Sequence, residues 1–272
     1  MSTTGRARQR IPILAYHSVS DSPAAAIAPF TVRPDDLARQ LDLLATGGHR
    51  ALTLSGLLDL LDAGAPLPRR TVVVTFDDGF EDNLTVAAPM LEERSLAATV
   101  FVTTGFLAGG PDAGYERPGP MLEWDSLLPL EAFGIEIGSH GHSHRPLDVL
   151  SHAEVRMELR LSKALLEATL GHRIEVLAYP HGYASRWVEE EVERCSYRAA
   201  CGVRNAFSHR DDNRWRLARL TMRATTTIEQ LGRWLDGSCA PVASRREHLR
   251  TKAWREARRA SALVGGLHGA PR

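Results

Sequence analysis

Two adjacent carboxylates, Asp77 and Asp78, close the apolar run T-V-V-V-T-F and are followed at once by Gly79. Neighbouring carboxylates repel, so the pair is costly unless a cation sits against it. Further along, G-S-H-G-H-S-H at 138–144 places His140 and His144 four residues apart. On a helical turn that spacing puts both imidazoles on one side, where they can grip one metal ion. With Asp78 they make a two-histidine, one-aspartate set that leaves coordination positions open for water, as a hydrolytic metal requires. His142 lies between them, is expected to point away and is read as a non-ligand. Each feature also has a plainer reading. D-D-G after an apolar strand is ordinary turn chemistry, and a lone histidine is more often a core or surface residue. The acid pair and the histidine cluster taken together favour a metal.

These groups meet only if the elements that carry them end at one place. Val72 to Phe76 is short and β-branched and reads as a buried parallel strand. Gly79 then lets the chain turn sharply at its carboxyl end, where ligands collect in α/β folds. Ile11 to His17 reads as a first strand and Ala51 to Leu54 as another. Ala97 to Thr103, Ile135 to Gly138 and Val176 to Tyr179 continue the series, followed by Arg198 to Val203 and Leu217 to Met222. Between them lie helical patterns. Pro34, Asp35 and Asp36 open one whose apolar face is Leu37, Leu41 and Leu44, stopped by Gly47 and Gly48. Gly56 to Asp62 is a short helix, and Leu84, Ala87, Ala88 and Leu91 mark the next. Ser151 and Glu154 have capping-box spacing for a long helix with Val155, Leu159 and Leu166 inward, ended by Gly171. Arg186 to Glu193 is helical. Thr227 and Gln230 cap a last helix with Ile228, Leu231 and Leu235 as its core positions. Leu107 to Pro120, rich in Gly and Pro, reads as a surface loop. Strands alternating with helices predict an α/β fold with a closed or nearly closed parallel sheet.

T-F-D-D-G at 75–79, G-S-H-G-H-S-H at 138–144 and A-Y-P-H-G at 178–182 resemble, in order and spacing, the motifs of the polysaccharide deacetylases, the NodB-homology carbohydrate esterases. The resemblance runs over residues 11–236. It implies a distorted (β/α) barrel of about seven parallel strands. It also implies Asp77 as catalytic base, and a divalent metal, usually zinc, on Asp78, His140 and His144. The implied substrate is an N-acetylated glycan. A backbone N–H at His181 would hold the oxyanion, with Pro180 and Gly182 shaping that turn, and Tyr179 or Tyr183 either packs or lines a sugar groove. Two departures stand out. The third motif commonly begins with an arginine that orients the base, and here that position is Ala178. The last motif, an apolar strand ending in an acidic histidine, is missing; the segment around Trp234 and Leu235 ends in Asp-Gly-Ser. In the poly-N-acetylglucosamine deacetylase branch, a Tyr-His at the first strand supplies that acid. Tyr16-His17 resembles it, so His17 is the expected acid, with a neighbouring carboxylate to keep it protonated; a buried structural histidine is the alternative.

The chain of 272 residues carries 33 basic and 33 acidic side chains, a balance that argues against nucleic acid as a partner. Residues 1–10 read as a basic extension, 11–240 as the domain and 241–272 as a basic tail, solvated or in peripheral contact with a membrane or another anionic partner. No apolar run approaches a membrane span. Ile11 to Ala15 is too short for a signal peptide, so a cytoplasmic location, extending to the inner membrane face, is expected. Cys195, Cys201 and Cys239 fit no metal or redox spacing. Two other functions compete with glycan deacetylation: hydrolysis of a non-sugar amide or imide C–N bond on the same fold, and carbohydrate binding without turnover, which Ala178 favours.

Overall fold

A computed structural model of the chain describes residues 9–110 and 114–238. Cys239, the basic tail and most of the amino-terminal extension lie outside the described residues. β-Branched and aromatic residues in the apolar runs give short strands, and those at the centre of the sheet are fully buried, as sheets covered on both faces require. In chain order these are β1 (Arg10–Ile11), β2 (Ile13–Tyr16), β3 (Arg50–Leu52), β4 (Thr71–Phe76), β5 (Ala98–Val102), β6 (Ile135–Ser139), β7 (Val176–Ala178), β8 (Ala199–Cys201), β9 (Ser208–His209) and β10 (Leu220–Thr221). The main sheet is parallel throughout, in the order β10-β2-β4-β5-β6-β7-β8. β3 wedges beside the first half of β4: Val73 pairs with Ile13 on one side and Leu52 on the other. The small β1 and β9 pair antiparallel.

The sheet curls until its two ends meet on one segment. Leu217 bridges Cys201 of β8, and three residues later Leu220 and Thr221 pair with Leu14 and Ala15 of β2. The result is the distorted (β/α) barrel of seven strands that the motifs imply, with 217–221 as its closing stave. Its interior is filled, not hollow. Ile13, Val73, Phe101, Val176, Ala178 and Cys201 pack there, and Leu54, Leu57 and Leu58 of α2 (Leu54–Asp62) plug the end opposite the strand tips.

Outside the barrel lie α1 (Pro34–Thr46), α3 (Ala88–Glu93), α4 (Leu127–Ala132), α5 (His152–Leu170), α6 (Arg186–Arg194) and α7 (Ile228–Leu235). Their apolar stripes and the outer faces of the strands form the larger core. α1 starts on Pro34 with Asp35 and Asp36 in its first turn and buries Leu37, Leu41 and Leu44. α5 has the full capping box between Ser151 and Glu154 and ends on Gly171 at φ 77°. Several elements differ from the sequence pattern: β9 was not expected, and α2 begins at Leu54, which the pattern assigns to the preceding strand. The helix expected through Leu84 and Leu91 begins with a π-helical turn at Asn83–Ala87 before α3. α4 carries no strong pattern and was not expected. In α7 only Leu231 is buried, because Ile228 and Leu235 face the helix edge. No helix among the described residues is long and apolar enough to cross a membrane.

The cap of α5 yields a stability test. The Ser151 hydroxyl and N–H, then Arg145, hold Glu154 down at about 2. Its contribution is therefore present above the ordinary value of 4.5 and fades as pH falls towards 2. Ser151→Ala should lower stability by about 1 kcal/mol at neutral pH, and by less at pH 2, measured by urea unfolding at the two pH values.

Candidate active site

β4 delivers the acid pair. Pairing with β2 continues one residue past the strand, where the Asp77 N–H donates to the Tyr16 carbonyl. The chain then reverses through two left-handed residues, Asp78 at φ 75° and Gly79 at φ 86°. A side chain at Gly79 would also press on Val102 at 3.3 Å, so glycine is required twice over. Both carboxylates are buried, Asp77 to 2% and Asp78 to 4% exposure.

β6 delivers the histidines. The expected helical turn is absent: residues 140–144 form a loop, with Gly141 at φ 77° and His144 at φ 61°. Convergence of the two rings comes from that loop's shape, and the four-residue spacing alone does not produce it. His140 Nδ1 lies 2.8 Å from the Ala178 carbonyl and donates to it, which leaves Nε2 as the free lone pair. The Nε2 atoms of His140 and His144 stand 3.4 and 3.1 Å from Asp78 Oδ1. That oxygen is nevertheless buried without an aligned hydrogen bond. The three candidate ligand atoms lie within 4.8 Å of one another. Two imidazole nitrogens and a carboxylate oxygen converging on one point, with the oxygen otherwise orphaned, fit a metal cation. Burial works to raise the Asp78 pKa, but the two imidazoles outweigh it and hold it well below the carboxylate range. His142 turns away, its Nδ1 2.8 Å from the Thr104 hydroxyl and its ring edge-on to Tyr115.

Asp77 is held by a residue that sequence reasoning missed. Arg219, fully buried on the closing stave, donates from Nη1 to Asp77 Oδ1 at 2.6 Å and from Nη2 to Oδ2 at 2.7 Å. It also donates to the Gly202 carbonyl and to the Thr75 hydroxyl. Burial pushes the Asp77 pKa up, but the guanidinium, then His140, bring it below the ordinary value. The arginine absent at Ala178 is thus supplied by another strand, while Ala178 contributes its carbonyl to His140. A signal was present in the sequence: L-A-R-L-T-M sets one charge inside an apolar strand, and a buried charge must be paired.

His17 follows directly on β2 and lies in the field of both carboxylates, with Asp78 felt most strongly. Its ring packs on Phe30 at 5.2 Å, and its Nδ1 is buried with no partner among the described residues. Asn83 in the π-turn donates to the His17 carbonyl, and Ser18 donates to Asp82. The expectation that a carboxylate keeps His17 protonated is corrected. Burial lowers its pKa, and Asp78 and Asp77 do not make up the loss.

The third motif splits. His181, at φ 58°, sets its ring 4.6 Å from that of His144. Gly182 is indispensable to the turn, since a Cβ there would meet Val203 at 2.5 Å. Tyr179 is fully buried, and its hydroxyl donates to the Trp215 carbonyl. Pro180 is buried as well. Neither side chain lines a sugar groove: the strand that lifts His181 to the mouth turns Tyr179 into the core. The mouth is walled instead by an apolar cluster of Ile27, Phe80, Phe106 and Met121, with Phe30 and Tyr115 against it. Phe106 reaches the His144 ring.

With this geometry in hand, comparison with known proteins is direct. The family model described as polysaccharide deacetylase matches residues 64–200, half of the chain. YxkH of Bacillus subtilis (strain 168), whose name carries the same family, is 23% identical over 84% of this chain and 76% of its own. The poly-beta-1,6-N-acetyl-D-glucosamine N-deacetylase of Escherichia coli (strain K12) is 32% identical over 68% of this chain, which spans only 32% of that protein. Among solved structures, the Streptococcus pyogenes deacetylase PplD superimposes with a TM-score of 0.74 at 23% identity, over 83% of this chain and 98% of its own. Matching motifs, barrel and histidine–aspartate cluster lead to one assignment: the chain belongs to the polysaccharide deacetylase family.

Proposed function

We propose that this protein is a divalent-metal hydrolase that removes N-acetyl groups from N-acetylglucosamine units of a glycan. The observation that carries this reading is the division of labour within the acid pair. Asp78 converges with His140 and His144 on one point, while Asp77 beside it is locked by Arg219. The glycan is suggested by the family and by the Escherichia coli relative, whose name specifies poly-N-acetylglucosamine.

An amide is a poor electrophile and an amine a poor leaving group, so the site must supply help to both. A divalent ion on Asp78, His140 and His144 supplies Lewis acidity when bound, polarising an acyl oxygen and making water more acidic. Asp77 is ionised at neutral pH and held in one orientation, so it takes a proton from the attacking water. The backbone N–H at His181 donates to the oxyanion. His17, on the first strand, gives a proton to the departing nitrogen as the C–N bond breaks. The apolar wall of Phe30, Phe106 and Met121 keeps the centre dry. The missing motif arginine does not argue for lost turnover, because Arg219 fills its place in space.

Acetate release from N-acetylglucosamine oligomers, measured beside bound metal, tests the reading. Asp77→Asn should keep the metal and lose about 10²–10⁴ in rate. A metal-loaded wild type that releases no acetate from any oligomer overturns the glycan assignment.

Arg219 carries its own prediction. Removing one partner of a buried ion pair strands the other, so Arg219→Met should lose about 3–5 kcal/mol of stability. Adding Asp77→Asn should restore part of it in a double-mutant cycle. Arg219→Lys keeps the charge but not the two-pronged hold; we expect kcat to fall with KM little changed.

For His17, the acid form is lost as pH rises through a value below the ordinary 6.5. The alkaline fall in kcat/KM should therefore begin on the acid side of 6.5 and be absent from His17→Ala. That variant should bind metal normally. Normal turnover in it would place the acid elsewhere.

A further inference from the structure

The loop that brings His140 and His144 together is an unfavourable conformation for its sequence. His144 is a non-glycine residue in the left-handed region, and Gly141 shares that region. Such a conformation persists only where its surroundings over-determine it. On one side the loop is pinned through its carbonyls: the Thr104 N–H donates to the Gly141 carbonyl and the Gly105 N–H to that of His142. On the other side Ser139 Oγ accepts from the Gly141 N–H, and the next two N–H groups go to Glu158. Glu158, two turns into α5 from its cap, is buried to 7% exposure and faces the loop. Its Oε2 accepts from the N–H groups of His142 and Ser143, each at 2.8 Å, and its Oε1 accepts from the Ser143 hydroxyl at 2.5 Å. A side chain added at Gly141 would touch the same Oε2.

Glu158 has no other visible task. Among the described residues no lysine or arginine forms an ion pair with it, although carboxylates are rarely buried unpaired. One turn further along the same helix face, the Ser162 hydroxyl meets that of Ser139 at the end of β6. Thus α5 is registered on the strand that carries the histidines, and Glu158 is aimed at the three residues between them.

We propose that Glu158 is a positioning residue of the metal centre: its carboxylate fixes the 142–143 backbone so that His140 and His144 meet Asp78 on one cation. This rests on the metal-centre reading above, and the test separates the two. Zinc dissociation constants are measured on the full chain by competition with a chromophoric chelator, alongside melting temperatures without metal. Outer-shell partners of metal ligands typically contribute about 10–100-fold in affinity, and Glu158→Ala should lose that much. Glu158→Gln keeps an acceptor for the two N–H groups and should lose less. A purely structural role would lower the melting temperature and leave zinc affinity unchanged. If Glu158→Ala does not fold, Glu158→Asp, one methylene short of the loop, takes its place, and wild-type affinity there overturns the proposal. Zinc bound by wild type, lost in His140→Ala and kept at full strength in Glu158→Ala would overturn the role of Glu158 alone. A wild-type chain that binds no zinc would overturn the metal centre and Glu158 with it.

Discussion

Two buried carboxylates side by side at the mouth of the barrel repel each other, and everything around Asp77 and Asp78 answers that constraint. Each acid has its own set of partners, and the two sets differ in kind. Asp77 receives a permanent cation, Arg219, through two parallel hydrogen bonds from inside the barrel. Asp78 receives two imidazoles from outside, whose lone pairs can serve a metal as readily as a proton. A guanidinium does not lose its proton near neutrality, so Asp77 keeps its partner whatever the protonation of the histidines beside it. Adjacent residues of one type thus acquire different chemistry from the direction of their partners, not from their own identity.

The backbone carries the cost of this arrangement. Asp78, His144 and His181 all sit at positive φ without being glycines. Backbone outliers of this kind cluster where a site over-determines its geometry, and here they mark the three loops that meet at the mouth. Gly79, Gly141 and Gly182 lie beside them, so each loop has one permissive and one strained residue. The compensation comes from the ordinary packing of α5 and the closing stave, well supplied with buried apolar area. A deletion in either element would reach the site without touching a ligand.

Much of this was legible in the sequence, and the parts that were not share a cause. Local signals predicted what local physics decides: the β-branched run before Asp77, the capping box at Ser151 and Glu154, the apolar stripe of α1. The resemblance in three motifs assembled the ligand set. Contacts between residues distant in the chain remained hidden, since no propensity or period encodes which strand will face Asp77. Arg219 was visible as an oddity inside an apolar strand, but its partner was not. Tyr179 misled because an aromatic next to a motif looks equally like a wall and like core until the strand's inside–outside alternation is fixed. The π-turn at Asn83–Ala87 escaped for a related reason: its apolar spacing suits a helix, and the side chain that Asn83 sends to the His17 carbonyl spans 66 positions.

The relocation of the arginine has a geometric basis. In a closed barrel the residues that point inward from different strands share one small volume, so a charge can enter it from any stave without changing what it meets. Ala178 and Arg219 illustrate the exchange. The small side chain on β7 belongs to the interior cluster with Phe101 and Cys201, and the guanidinium from the closing stave lies over the Phe101 ring and reaches past Thr75 to Asp77. Closure is what permits it: the stave carrying Arg219 must pair with β8 at Leu217 and with β2 at Leu220 for its side chain to point at the tip of β4. In an open sheet the last strand would lie far from the acid pair, and the charge would have to come from a neighbour of β4. The barrel therefore does more than display loops at its mouth. By closing, it brings the end of the chain's strand series next to its beginning, where Asp77, His17 and the arginine that holds Asp77 all lie on adjoining staves.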